Sequence, residues 1–186
     1  MAALIPSASA SGSGTMTLAG PSTNSNQTIT IPDATGTMLY KNASGIAQNS
    51  TQPAFQVNAG TAGNTSFSQN TMTTIPLNNV VFDAGGNFNS STYRFTAPVA
   101  GNYYFYAQIY MRTNVNANSF YIRKNNLDSN YYNFSCANTV DQSATISTVI
   151  NLAVNDYIQI SVYSNAVSPV YYRGIQETFF SGFLIG

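Results

Sequence analysis

The residues that could carry acid–base or nucleophilic chemistry are few and scattered along the chain. There is no histidine, so the commonest general base and metal ligand is missing. Most of the six acids stand beside turn residues, and no two have the local context of a glycosidase acid and nucleophile. No zinc-ligand spacing and no glycine-rich phosphate loop occurs. The sequence predicts a protein that is not an enzyme and has no cofactor, and leaves open whether the fold brings acids together. The acids are Asp33, Asp83, Asp128, Asp141, Asp156 and Glu177.

Residues suited to binding a ligand are more numerous than residues suited to catalysis. Candidate loops with few charges lie at 114–118, 125–132 and 167–173, where turns are predicted, and each of the last two contains a pair of tyrosines. Aromatic faces and amide groups are suited to recognising sugars. Ordinary packing at strand ends or at an interface is the alternative explanation for each tyrosine. The candidate ligand-binding residues are Tyr131, Tyr132, Tyr171, Tyr172 and Arg173.

Composition excludes several classes of partner. Only 6% of the 186 residues are charged and the formal net charge is zero, so there is no electrostatic footprint for nucleic acid or an anionic membrane. No run approaches the roughly 18 apolar residues that a membrane span needs, which argues against membrane insertion. The first residues lack the features of a secretory signal, so we expect synthesis in a cytoplasm. The single cysteine, Cys136, excludes an intramolecular disulfide and suits a small half-buried position.

From residue 54 onward the pattern is that of an all-β domain. Runs rich in β-branched and aromatic residues are separated by Gly, Pro and Asn turn signals, and no stretch has helical periodicity with capping residues. This arrangement predicts a sandwich or barrel. The predicted strands are 54–57, 74–82, 92–96, 102–112, 119–124, 130–136, 143–152, 157–163 and 177–185.

The chain divides near residue 50. Of its 13 tyrosines and 11 phenylalanines, Tyr40 alone lies before Phe55, so the first part cannot build a core of ordinary density. Residues 15–18 and 28–31 alternate polar and apolar side chains as short half-buried strands do, and residues 38–40 suggest a third strand. Strands this short need partners from another chain. We therefore predict a β-rich N-terminal segment with a linker over 1–50 and a head domain over 51–186.

One stretch of the head has the residues and spacing of a known signature. It resembles that of the complement C1q-like globular domain, a relative of the tumour necrosis factor fold, and the final ETFFSGFLIG resembles that family's last strand. Leu77 and Ala107 depart from the pattern but stay apolar. The resemblance covers roughly residues 53–186 and implies a ten-stranded jelly-roll sandwich that assembles as a homotrimer. Some family members bind calcium near the trimer axis; no acid cluster marks such a site here, and calcium is left open. The matching residues are Asp83, Phe88, Phe95, Gly101, Tyr103 and Phe105.

The apolar faces of the predicted strands bear on assembly. Strand 157–163 has Gln159 and Ser161 on one face, which predicts a sheet with one wet side. Strand 102–112 is apolar on one face and rich in tyrosine on the other, while the last strand is apolar on both faces. The second apolar face of such a strand needs something to bury it. Either a loop or the N-terminal segment covers it, or another subunit of the trimer does. The predicted trimer-interface residues are Tyr104, Tyr106, Tyr110, Phe180 and Leu184.

The N-terminal segment carries a second resemblance. The run GSGTMTLAGPSTNSNQTITIPDATGTMLY is similar to a segment that recurs in tailed-bacteriophage fibre and other virion-appendage proteins, most closely at 28–37. This resemblance implies a stalk or attachment segment, and a disordered leader is the alternative. The predicted virion-attachment residues are Thr28, Ile29, Ile31, Pro32 and Asp33.

Together the two resemblances imply a trimeric virion structural protein of a tailed bacteriophage, made in the host cytoplasm. It would be a fibre or a capsid decoration, attached to other virion proteins through its N-terminal segment. The head would project outward and adhere to a host-surface glycan or protein. Two alternatives stay open: a cellular C1q-like lectin or adhesin outside any virion, and a purely structural cement protein.

Overall fold

The computed structural model describes residues 52–60, 63–112, 118–127, 131–136, 142–165, 170–174 and 176–185. For residues 118, 131–136, 142 and 170–173 the description is limited to strand pairing. The described residues form 13 strands joined by turns, and the all-β prediction is confirmed. In chain order the strands are β1 (Ala54–Asn58), β2 (Gly63–Ser66), β3 (Thr73–Thr74), β4 (Asn79–Ala84), β5 (Phe88–Asn89), β6 (Arg94–Thr96), β7 (Gly101–Met111), β8 (Asn118–Lys124), β9 (Tyr131–Cys136), β10 (Gln142–Leu152), β11 (Tyr157–Ser164), β12 (Val170–Arg173) and β13 (Phe179–Leu184).

The strands form two antiparallel sheets that pack as a jelly-roll sandwich. The first sheet has the order β2-β12-β7-β13-β1-β4, with β10 also paired to β7. The second has the order β5-β6-β11-β8-β9, with β3 also paired to β11. A search of the described ranges finds no helix of the length and hydropathy that crossing a membrane requires.

An aromatic cluster fills the space between the two sheets. The ring of Phe55 on β1 stacks on that of Phe95 on β6 at 4.6 Å, and meets Phe180 on β13 edge-on at 4.9 Å. Phe105 on β7 stacks on Phe180 at 5.7 Å and on Tyr103 at 6.1 Å. All five side chains have no solvent exposure. Aromatic pairs of this kind add about 0.5–1.5 kcal/mol each beyond the area they bury, so this cluster holds the sandwich together.

Two residues of the signature close turns around this cluster. Asp83 is the penultimate residue of β4, and its Oδ2 accepts a hydrogen bond from the backbone N–H of Phe88 at 2.8 Å, which closes the turn into β5. The buried hydroxyl of Tyr103 donates to the carbonyl of Val99 at 2.8 Å, which fixes the loop before β7. Asp83 is therefore a strand residue with a structural role, since its side chain closes the turn that follows β4.

The prediction of one strand over 74–82 is wrong. The structure has β3 in the second sheet and β4 in the first, with an irregular crossing between them. Pro76 lies in that crossing and has no backbone N–H with which to continue a ladder. The N–H of Ile75 still bonds the carbonyl of Ile160 at 2.9 Å, but that of Leu77 turns back to Ile75 at 2.9 Å. The short strands β2, β5 and β12 were also not predicted, so the head has more strands than expected.

The prediction that β11 has one wet face is also wrong. Gln159 is 2% exposed and Ser161 is fully buried. The amide of Gln159 accepts a hydrogen bond from Arg94 Nε at 3.1 Å and donates to Thr74 Oγ1 at 3.0 Å and to Asn126 Oδ1 at 3.1 Å. Long polar neighbours thus cover this face and satisfy its buried amide.

Candidate interface on the first sheet

The central strand of the first sheet, β7, has one buried face and one partly exposed face. Its odd-numbered side chains from Tyr103 to Met111 are at most 1% exposed. The even-numbered Tyr104, Tyr106 and Tyr110 point away from the core and are half-buried. Because side chains alternate along a strand, the sequence was sufficient to predict this arrangement.

Strand β13 adds two more aromatic rings to the same outward face. Its antiparallel register sets Phe183 opposite Tyr104 and Ser181 opposite Tyr106. The rings of Tyr104 and Phe183 lie 5.5 Å apart, and those of Tyr106 and Phe179 are also 5.5 Å apart. Phe183 is 47% exposed, so nearly half of a large apolar side chain faces solvent in the single chain.

Neighbouring strands extend this apolar surface. Val149 on β10 lies opposite Tyr104 and is 50% exposed. Val149, Tyr104 and Phe183 thus form a continuous row across three strands, and Phe82 on β4, 48% exposed, lies farther along the sheet. We refer to this surface as the aromatic face. It comprises Phe82, Tyr104, Tyr106, Tyr110, Val149, Phe179 and Phe183.

The aromatic face is uncharged. The outward positions of β7 from Asn102 to Tyr110, and those of β10 and β13, are filled by Tyr, Phe, Val, Asn, Gln, Ser and Thr. Gln108 lies among them, and its amide donates to the carbonyls of Gln176 and Glu177 at 3.2 Å each. That amide is occupied within the chain. A surface without charge loses little solvation energy when a partner covers it.

Two of the predicted interface residues are on the wrong side of the sheet. Phe180 is fully buried in the core, so its side chain has no surface to offer another subunit. Leu184 is partly buried and packs against the same core. The register of β13 against β7 sends its even-numbered residues inward, and Gly182 between them lies over the ring of Phe105. The outward aromatics that the prediction missed are Phe179 and Phe183.

The predicted ligand-binding residues belong to two different sheets. Tyr131 and Tyr132 are in β9, which pairs with β8 in the second sheet. Tyr171, Tyr172 and Arg173 are in β12, which pairs with β2 and β7 in the first sheet. All five are strand residues: the predicted strand 130–136 already contained Tyr131 and Tyr132 and is confirmed as β9, whereas Tyr171, Tyr172 and Arg173 were expected in a loop. The predicted attachment residues Thr28, Ile29, Ile31, Pro32 and Asp33 lie outside the described residues.

A well-defined ion pair lies between the β8–β9 and β10–β11 turns. Lys124 Nζ is 2.7 Å from Asp156 Oδ2, and Asp156 Oδ1 also accepts from Asn125 Nδ2 at 2.7 Å. The Lys124 ammonium, with that amide, lowers the pKa of Asp156 to about 2. The described ranges contain no group of three or more His, Cys, Asp or Glu side chains that could hold a metal ion.

With the fold and this face described, comparisons with known proteins identify the family. The sequence profile of the C1q domain matches residues 54–185. The match spans more than half of the chain, which therefore belongs to the C1q domain family. No curated protein matches the chain in sequence.

Solved structures of low sequence identity have the same fold. The globular domain of zebrafish complement 1qA superposes with a TM-score of 0.55 at 21% identity, covering 73% of this chain and 98% of that one. Murine APRIL gives a TM-score of 0.55 at 14% identity, covering 72% and 99%. PRD1 vertex protein P5 gives 0.53 at 15% identity, covering 75% and 100%. The fold of the head thus occurs in proteins of very different sequence.

Proposed function

We propose that the chain is a non-enzymatic, homotrimeric structural protein of a tailed-bacteriophage virion, either a short fibre or a capsid decoration. Residues 1–50 attach it to other virion proteins through the segment around Thr28–Asp33. The C1q-domain head projects outward and adheres to a glycan or protein of the host surface. The protein is made in the host cytoplasm and resides in the virion.

The exposed aromatic face is the main observation that supports assembly as a homotrimer. Phe82, Val149 and Phe183 are each about half exposed on one face of one sheet. Contiguous apolar surface of this kind marks a protein–protein contact in soluble proteins. An antiparallel sheet that is apolar on both faces needs a burial partner on each. The resemblance to C1q-like and tumour necrosis factor-like domains, which pack as trimers through this sheet, supplies the stoichiometry.

Two resemblances support the proposal that the protein belongs to a virion. The sequence at 28–37, TITIPDATGT, is close to verbatim that of a recurring fibre segment. The fold of the head is also that of a phage vertex protein, PRD1 P5. A head of this fold is therefore compatible with a place on a virus particle, and the N-terminal segment supplies the means of attachment.

Adhesion is assigned to the tyrosines of β9 and β12 and to Arg173. Alanine at Tyr131 and Tyr132, and separately at Tyr171, Tyr172 and Arg173, should reduce adsorption to host cells while leaving the oligomer mass unchanged. Adsorption at the wild-type level by both variants would refute the assignment and leave a structural cement.

Immunogold electron microscopy of purified particles from the source culture tests the virion assignment. Antibody raised against residues 53–186 should label one defined place on each virion, and that place distinguishes capsid from tail. Bare virions beside a labelled cell surface or medium would overturn the proposal in favour of a cellular lectin or adhesin.

A further inference from the structure

A polar cleft opens beside β5 and β6, at one edge of the second sheet. It is bounded by the β4–β5 turn, the β5–β6 loop, the start of the β6–β7 loop and the β10–β11 turn. Its volume is about 680 Å³, which lies within the usual range for sites that hold small molecules. Ten described residues line it, and none of these ten is charged. Six of them have an amide or hydroxyl side chain: Asn87, Asn89, Ser90, Ser91, Thr96 and Asn155.

Backbone hydrogen bonds tie the walls of this cleft together. The N–H of Thr96 donates to the carbonyl of Asn87 at 2.9 Å, which joins β6 to the β4–β5 turn. Ala97 bonds the β10–β11 turn twice. Its N–H donates to the carbonyl of Asp156 at 2.8 Å, and its carbonyl accepts from the N–H of Asn155 at 2.9 Å. Walls that are already fixed reduce the conformational entropy that is lost when a ligand enters.

Most of the polar groups that line the cleft are available to a ligand. Asn89 uses its Oδ1 to accept two backbone N–H groups of the β5–β6 loop, at 2.9 and 3.0 Å, which fixes that loop and leaves Nδ2 available. Four further groups have no hydrogen bond within the part of the chain that the structure describes. They are the hydroxyls of Ser90, Ser91 and Thr96 and the side-chain amide of Asn155.

The chemistry of this lining fits a neutral ligand with many hydroxyl groups. Hydroxyl and amide side chains both donate and accept hydrogen bonds, as the hydroxyls of a sugar do. Phe88, which is 8% exposed, and the exposed Pro98 offer apolar surface to the C–H groups of a sugar ring. A phosphate or carboxylate ligand would find no cation among the described lining residues with which to pair.

We propose that this cleft is a binding site for a neutral saccharide. It is separate from the tyrosines assigned to adhesion, because β5 and β6 lie at one edge of the second sheet, β9 lies at the other edge, and β12 belongs to the first sheet. The proposal does not depend on a place in a virion, since a cellular adhesin with this head would have the same cleft.

Two-dimensional ¹H–¹⁵N NMR of the full-length chain tests the proposal. The probes are glucose, galactose, mannose, N-acetylglucosamine and N-acetylgalactosamine, each added separately. At least one of them should shift the amide signals of residues 86–91, 96–97 and 155 saturably, with a Kd on the order of 1–10 mM for a single sugar ring. Because no charge lines the described cleft, this Kd should change less than about twofold between low and high salt.

Two variants and a matched control locate the binding. Asn155→Gly removes the side-chain amide and keeps the backbone, since glycine readily adopts the φ of 70° at this position, and it should raise the Kd at least about fivefold. Thr96→Val removes one hydroxyl and should also raise the Kd. Asn70→Gly is the control, because Asn70 is exposed and has a φ of 54°. Its N–H bonds Ser164 at the other end of β11, a strand about 23 Å long, so the Kd should stay unchanged.

Amide signals of β7 serve as the internal reference that each variant remains folded. The proposal is overturned if none of the five sugars shifts the cleft signals saturably, or if the shifts occur in β9 or β12 instead. It is also overturned if Asn155→Gly and Thr96→Val bind sugar as tightly as the wild type does. Cleft signals that change with protein concentration and not with sugar would likewise contradict it and identify the cleft as a contact between subunits.

Discussion

Replacing Gly182 by alanine should destabilise the head by overpacking its aromatic core. The glycine lies on β13 between two rings, on the inward side of the strand. A Cβ at this position would lie 2.5 Å from Cδ1 and 2.8 Å from Cε1 of Phe105, and 3.0 Å from Cε1 of Phe55. Separations this short are well inside van der Waals contact, so one or both rings must move.

The rings have little freedom to move. Phe105 is fully buried and packs on Phe180 at 5.7 Å and on Phe95 at 6.0 Å, so a shift of its ring is passed to the rest of the cluster. Adding one methyl group to a well-packed core costs about 1–3 kcal/mol. Replacing glycine by alanine within a strand returns less than about 1 kcal/mol through reduced chain entropy. The net loss is therefore about 1–2 kcal/mol, or roughly 3–8 °C in Tm for a domain of this size.

Thermal and urea unfolding at one fixed protomer concentration measure this loss, since the stability of an oligomer depends on concentration. Ser181→Ala, at the neighbouring outward position, is the control and should change the free energy of unfolding by less than about 0.5 kcal/mol. Phe105→Leu in the Gly182→Ala background should recover part of the loss, because it removes the clashing ring atoms. A Gly182→Ala protein as stable as the wild type would refute the packing argument.

Three further substitutions probe the head by equilibrium unfolding. Asp156→Asn removes the ion pair with Lys124. Because the pKa of Asp156 is lowered to about 2, the contribution of this ion pair to the free energy of unfolding is fully present above the ordinary pKa of 3.8 and is lost as the pH falls through 2. The variant should be about 1–2 kcal/mol less stable at pH 7 and match the wild type below pH 2, and a difference independent of pH would contradict this. Tyr103→Phe deletes the donor to the Val99 carbonyl and should cost about 1 kcal/mol, whereas an unchanged urea midpoint would argue against that bond. Phe95→Ala opens the centre of the cluster and should cost about 3–5 kcal/mol; a loss below 1 kcal/mol would mean that the cluster is not the core.

The sequence was sufficient to predict the parts of the fold in which pattern and spacing agree. Strand β7 alternates apolar and tyrosine-rich positions over its whole length, so both its existence and its two faces could be predicted. The spacing of Phe95, Tyr103 and Phe105 placed three members of the buried cluster correctly. The all-β sandwich followed from turn signals at regular intervals and from the absence of helical periodicity.

The parts that could not be predicted depend on neighbours distant in sequence. Strand β13 is apolar on both sides, so only its register against β7 decides that Phe183 faces outward and Phe180 inward. Gln159 and Ser161 have the polar alternation of a wet face, but side chains from other strands cover them. For the candidate interface, the sequence thus identified the tyrosines of β7 but not the phenylalanines that complete the surface.

Sedimentation velocity of the full-length chain tests the central claim most directly. The wild type should sediment as a trimer of about 60 kDa, three chains of 19.9 kDa each. Phe183→Lys places a charge in the middle of the aromatic face and should shift the protein to monomer, while Val154→Lys, at an equally exposed valine in a turn, should remain trimeric. A monomeric wild type, or a Phe183→Lys protein that still sediments as a trimer, would contradict assembly through this face.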